Sequence, residues 1–293
     1  MITGLHHVTA IASDPQKNLD FYTKFLGLRL VKKTVNFDDP GTYHFYFGDE
    51  AGSPGTILTF FPWPGSFRGR KGNGQTVRTA YTVPKNSLGE WVDKARKAGV
   101  AVEGPQVRLN EEFVTLTDPD GMLIELFATG EHEKGLGKFH SVTLAETNLD
   151  LTAGVVGGLL GWNKVAEEGN RVRYASSLEG FVDIEAVPGG LRGTSGAGTV
   201  HHIAFRTPDD AAQAEWRRKI EHAGLHVSPV MDRNYFHSIY FREPGGVLFE
   251  IATDPPGFTV DEPLAELGQN LKLPAQYESM RGRIESVLPK VTV

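Results

Sequence analysis

The feature that most narrows the fold is a repeat. Along the 293 residues one order of elements returns four times: a short apolar strand, a capped helix that stops at a glycine, and a meander of strands. The first copy (residues 4–63) opens with the strand Leu5 to Ile11, LHHVTAI, and Ser13-Asp14-Pro15 then starts a helix. Leu19, Tyr22, Phe25 and Leu26 give that helix its apolar face, and Gly27 ends it in a left-handed cap. The second copy (76–129) runs from TVRTAYTVP through a helix with Leu88, Trp91, Val92 and Ala95 inward to the closing hairpin FVTLTDPDGMLIELF. The third (138–187) opens FHSVTLA and has a weaker, glycine-rich helix ending at Gly161. The fourth (199–254) starts its helix at Thr207-Pro208, ends it at Gly224 and closes with YFREPGGVLFEIATD. Glycine-rich connectors separate the copies. The predicted fold is α+β: four βαβββ modules paired into two half-barrel cups. The tail (255–293) lies outside the repeat, and Tyr277, Met280, Ile284 and Leu288 predict a terminal helix that packs on the body without chemistry of its own.

One carboxylate breaks the apolar pattern. Glu250 sits among Leu248, Phe249, Ile251 and Ala252, a charge built into a strand that should be buried. Such a group needs a partner, which is an arginine or a metal ion. Two His-His pairs, His6-His7 and His201-His202, open the first strands of modules one and four. Strand alternation puts His7 with Thr9 and Ile11 on one face, and His202 with Ala204 and Arg206. The apolar alternates face the helices, so His7 and His202 face the cups and His6 and His201 point away.

Aligning the modules assigns the first-strand site to His7, Thr79, Ser141 and His202, and the last-strand site to Thr59, Glu125, Ile184 and Glu250. Pairing modules one and four brings His7, His202 and Glu250 together. One with two yields only His7 and Glu125, three with four only His202 and Glu250, and two with three Glu125 alone. The ligand inventory therefore predicts that modules one and four share a cup, with two and three in the other. Two imidazoles and a carboxylate with open positions form the ligand set of non-haem Fe(II) oxygenases. Glu125 is expected to be a buried carboxylate satisfied by an arginine such as Arg78 or Arg173. His237 faces away, and His44, His132, His222 and His226 give no signal.

Composition bounds the rest. A net charge of −6 argues against a nucleic-acid partner, and no basic run or long apolar stretch suggests a membrane. The absence of cysteine removes disulfides, thiolate ligands and a thiol nucleophile. The N-terminal MITGLHH has no signal-peptide pattern, so the cytoplasm is the expected compartment, and a homo-oligomer is compatible with all of this.

With GLHHVTA, IYFREPGGVLFEIATD and FTVDEPL in place, the chain resembles the vicinal oxygen chelate superfamily, and within it the hydroquinone 1,2-dioxygenase branch. The resemblance spans nearly the whole chain. It implies Fe(II), with Mn(II) as the alternative, held by His7, His202 and Glu250, and a small aromatic substrate cleaved with O2. It further implies supporting roles at the site for His6, Thr9, His201, Arg233 and Tyr240. Met231 stands nineteen residues before Glu250, where catechol-cleaving relatives tend to carry an acid/base histidine, which favours hydroquinones over catechols. The alternatives are a catechol-type extradiol dioxygenase, a glyoxalase-like metal isomerase and a non-enzymatic small-molecule binder. An isomerase calls for a fourth protein ligand where this chain has Thr59.

Overall fold

The computed structural model describes residues 2–293. Module one contributes β1 (Leu5–Ala12), α1 (Pro15–Asp20), β2 (Arg29–Val35), β3 (Tyr43–Gly48) and β4 (Ile57–Pro62). Module two follows with β5 (Gln75–Pro84), α2 (Leu88–Ala98), β6 (Val102–Arg108), β7 (Glu111–Thr117) and β8 (Leu123–Gly130). Module three holds β9 (Phe139–Glu146), α3 (Leu149–Ala153), β10 (Asn163–Glu168), β11 (Arg171–Ala175) and β12 (Phe181–Ala186). Module four holds β13 (Val200–Thr207), α4 (Asp210–His222), β14 (Met231–Asp232), β15 (Phe236–Arg242) and β16 (Leu248–Pro256). The local signals act as expected: Asp14 caps α1 through the amides of Gln16 and Lys17, and Gly99 closes α2 at φ 69°. The fourth helix starts later than Thr207-Pro208 suggests, because Asp209 is the side chain that caps it.

The strands form two eight-stranded sheets, ordered β14-β15-β16-β13-β1-β4-β3-β2 and β10-β11-β12-β9-β5-β8-β7-β6. Antiparallel β1–β13 joins modules one and four, and antiparallel β5–β9 joins two and three, the predicted connectivity. One continuous apolar core, including Tyr22, Phe47, Trp91, Phe205, Trp216 and Phe249, runs through both halves. Each such side chain contributes roughly 1.5–3 kcal/mol by leaving water. The cups touch where Glu146 of β9 meets the β15–β16 turn. A Cβ on Gly245 would lie 2.3 Å from the Glu146 carboxylate, so a side chain there would displace that carboxylate from the turn. Among the described residues no helix is long and apolar enough to cross a membrane.

Two expectations need correction. In cup one, Thr9 pairs with Thr59 and Ala204 with Glu250, so each inward last-strand residue lies beside the residue two past the histidine. In cup two the corresponding pairs are Ala80 with Glu125 and Thr143 with Asp183. The counterparts of the cup-one site are therefore Arg78 rather than Thr79 and Asp183 rather than Ile184. The β1–β13 and β5–β9 pairings shift register at equivalent places, so the one-residue error lies in the alignment of the modules, which only the strand pairing corrects. The tail also differs. Its expected helix starts as a 3₁₀ turn over Ala275–Met280 and only then becomes α-helical as α5 (Arg281–Val287), with Ile284 and Leu288 buried and Met280 exposed. Upstream of that turn, Asp261 and Glu262 each lie 2.5 Å from the fully buried Lys32 ammonium, fastening the tail to β2.

Candidate metal centre

Glu250, His202 and His7 come from adjacent strands β16, β13 and β1 at the middle of the first sheet. All three are buried, and one ligand atom from each lies within 4.8 Å of the others. Glu250 Oε2 is 2.9 Å from His202 Nε2 and 3.3 Å from His7 Nε2. Separations of that size are what neighbouring ligands on one ion with bonds of about 2.1 Å impose. The other oxygen, Oε1, accepts a bond of 2.5 Å from Ser238 Oγ, while Oε2 is buried without a hydrogen bond. No arginine or lysine is paired with Glu250 among the described residues, so the buried ion-pair alternative fails. Burial alone would raise the Glu250 carboxyl, but His7 and His202 hold it well below the ordinary range. Burial foremost lowers His202, against the pull of Glu250. An ionised carboxylate and a neutral imidazole are the states that metal ligation requires.

The two outer histidines are where the parity argument fails. Between Leu5–Phe205 and His7–Ala204, β1 has one residue too many, His6; between Thr9–His202 and Ala10–Val200, β13 has one too many, His201. Each extra residue is a β-bulge, which turns its side chain out of strict alternation. As a result His6 Nδ1 lies 2.9 Å from His7 Nδ1, and His201 Nδ1 lies 2.7 Å from His202 Nδ1. A hydrogen bond between two imidazole Nδ1 atoms requires one to donate. With the proton on Nδ1 of His7 and His202, their Nε2 lone pairs are bare and face Glu250. His6 and His201 thus fit a role in holding the tautomer, one on each side.

Above the triad is a cavity of about 380 Å³, lined among others by Thr9, Phe37, His44, Phe61, Trp63 and Phe236. Tyr240, directly across from Glu250 on β15, reaches it too, and its hydroxyl accepts from Arg233 Nε at 3.2 Å. Burial, then the nearby Glu250 charge, raises the Tyr240 phenol well above its ordinary value. Arg233 also meets Asp38 at 3.5 Å, which ties it to the 36–42 loop over the cavity. That loop leans on the tail, where Tyr277 donates to the Phe37 carbonyl at 2.7 Å, so the tail supports the cavity wall rather than merely packing on the body. Thr9 contacts no member of the triad by hydrogen bond. Its Oγ1 is 2.9 Å from Thr59 Oγ1, which in turn is 2.8 Å from His44 Nε2. His44, like Asp38 and Ser238, is a site residue that sequence reasoning missed; its strand carries no second histidine to mark it. Met231 is not among the residues lining the cavity. His237 faces away and pairs with Asp210 at 2.6 Å.

In the second cup, Glu125 receives both Arg108 nitrogens at 2.6 and 2.8 Å and lies 3.3 Å from Arg78. Arg173 goes instead to Asp183 at 2.7 Å and to Glu111. The arginine expected for Glu125 is thus half right: Arg78 contributes, Arg173 does not, and Arg108 does most.

Two paired cups with a two-histidine, one-carboxylate cluster in one of them define a class. The chain belongs to the Glyoxalase/Bleomycin resistance protein/Dioxygenase superfamily, whose model matches residues 4–126 and 139–251. Among its relatives is the “Putative ring-cleaving dioxygenase MhqO” of Bacillus subtilis (strain 168), 47% identical over 97% of this chain and 95% of that protein. Another is the “Chlorohydroquinone/hydroquinone 1,2-dioxygenase” of Sphingobium indicum, 33% identical over 97% and 95%. The crystal structure of a “putative dioxygenase” from Bacillus subtilis superposes with a TM-score of 0.95 at 46% identity, covering 100% of this chain and 98% of that one.

Proposed function

We propose that this protein is a ring-cleaving dioxygenase that opens substituted hydroquinones with O2, using Fe(II) or, as the alternative, Mn(II), in the cytoplasm. The observation that carries the reading is the convergence of His7, His202 and the unpartnered oxygen of Glu250 at the foot of an aromatic cavity. These three residues would hold the ion. When bound, it supplies a Lewis-acidic, redox-active centre where a phenolic oxygen and O2 can meet.

The remaining work falls to this chain's own groups. His6 and His201 keep the ligand imidazoles in one tautomer, and Ser238 fixes the carboxylate. Tyr240, which stays protonated, can donate a hydrogen bond to an oxygen of the bound ring, and Arg233 adds positive charge beside it. Thr9 completes the polar floor. Phe37, Phe61, Trp63 and Phe236 exclude water and stack on a flat ring. A glyoxalase-type isomerase is disfavoured because Thr59, in the place of a fourth ligand, spends its hydroxyl on Thr9 and His44.

Two measurements on anaerobically purified protein test the reading. Metal analysis is expected to give iron or manganese at one ion per chain, and an electrode should record oxygen uptake with hydroquinones. Zinc or nickel without oxygen uptake on hydroquinones, catechols or gentisate would refute it.

A further inference from the structure

The sheet order places the triad at the centre of the first cup, with Tyr240 and Arg233 on its β15 side. On the other side, two strands beyond β1, stands His44 on β3, linked through Thr59 to Thr9 of the strand that carries His7. It is a built position. The ring lies between Tyr46 and Phe61, with centroids at 4.0 and 4.3 Å, and Nε2 is held by Thr59, itself held by Thr9. Nδ1 alone is left over: it is buried and has no hydrogen-bond partner, in a residue that lines the cavity. A buried imidazole nitrogen without a partner costs free energy unless a ligand bonds it. Across the cavity Arg233 is engaged by Asp38 and by the Tyr240 hydroxyl, whose own proton the ring-cleavage reading directs at the oxygen beside the triad.

We infer that His44 Nδ1 binds the remote hydroxyl of a para-dihydroxylated ring whose first oxygen lies at the triad, which makes His44 the residue that distinguishes a hydroquinone from a phenol. The inference rests on the ring-cleavage reading and deepens it. A para-diol can give the metal only one oxygen, so the other must be recognised by protein. The neutral imidazole can serve either way. With Nε2–H donating to Thr59, Nδ1 accepts from the ring hydroxyl; with the Thr9–Thr59 hydroxyls reversed, Nδ1–H donates to it. Burial foremost, with the cationic groups of the cup, lowers the His44 pKa, which keeps the ring neutral.

The test is anaerobic calorimetric titration of the Fe(II)-loaded protein with hydroquinone and with 4-methylphenol, which fills the same space without the remote hydroxyl. The wild type is expected to prefer hydroquinone by ~10–100-fold. Two variants separate recognition from structure. Asn places a polar atom where Nδ1 was and abandons Thr59, whereas Gln reaches Thr59 and leaves the Nδ1 place empty. His44→Gln should bring the ratio to near one, His44→Asn should keep several-fold, and both should retain wild-type iron. A wild-type preference in His44→Gln, or an equal loss in both variants, overturns the inference. Failure of the underlying reading appears differently, as no oxygen uptake by the wild type on hydroquinone.

Discussion

At the scale of single residues, the centre depends on one anionic oxygen. Replacing Glu250 with Gln removes the charge that two buried imidazoles face, and little else offsets the dehydration of a divalent ion there. Glu250→Gln should therefore purify without metal and without oxygen uptake, as read by elemental analysis. Arg233→Ala and Tyr240→Phe should behave oppositely: iron stays, while turnover falls ~10²-fold, the usual cost of losing a charge-directed contact at a reacting centre. Steady-state oxygen consumption should also favour a substituted hydroquinone over the matching catechol, and a higher kcat/KM on catechol would count against that order. The triad itself was legible in the sequence because Glu250 violates its apolar surroundings and the His-His pairs recur at equivalent positions. His44 was not legible. Its meaning comes from Thr59 and Thr9, residues 15 and 35 positions away that only the sheet brings beside it.

At the scale of elements, the bulges in β1 and β13 decide what the histidine pairs do. Period-two alternation read His6 and His201 as outward, and it would be right for ideal strands. One extra residue per strand, invisible to periodicity, turns each outer ring back onto its neighbour. His6→Ala or His201→Ala should leave the fold intact and weaken metal binding ~10–100-fold, the usual cost of losing a partner that orients a ligand. A competitive chelator titration reads the change, and unchanged affinity in both variants would remove the tautomer-holding role. A module alignment one residue out put Thr79 and Ile184 where the strand pairing places Arg78 and Asp183, so the carboxylate–arginine lattice of the second cup was only half anticipated. Glu125→Gln should retain metal yet lower stability by about 3–5 kcal/mol, because it strands Arg108 in a buried setting. Thermal unfolding checks this.

At the scale of the whole molecule, the contact between cups carries a pH dependence. Glu146, buried against the Gly245 turn, has its carboxyl pushed up to about 8 from an ordinary 4.5, first by burial and then by Glu243, with Arg192 opposing. The folded chain thus keeps a proton there up to about pH 8 that the unfolded chain gives up near 4.5. Between these values the folded state binds more protons, so this group's contribution to stability falls as pH rises. Glu146→Gln, neutral throughout, should flatten that part of the profile, giving less loss of Tm between pH 5 and 8 than the wild type shows. The pairing of modules that creates this contact was legible, since only one pairing collects a full ligand set. The contact itself was not, because it joins strand ends that belong to different cups.

The nested order of the modules has a consequence for synthesis on the ribosome. Cup two is built from neighbouring modules and can close as soon as it has emerged. Cup one cannot. Its first strand waits for β13, about 200 residues later in the chain, and at 5–20 residues per second that delay is of order 10–40 s. Throughout that interval the nascent chain presents His6, His7 and an unpaired strand edge, a template for wrong partners. The third member of the triad, Glu250, is in the last strand to appear. The full triad therefore exists only after Glu250 has emerged, and any shielding of the early strand, by a chaperone or by the already folded second cup, bears on yield rather than on the stability of the finished protein.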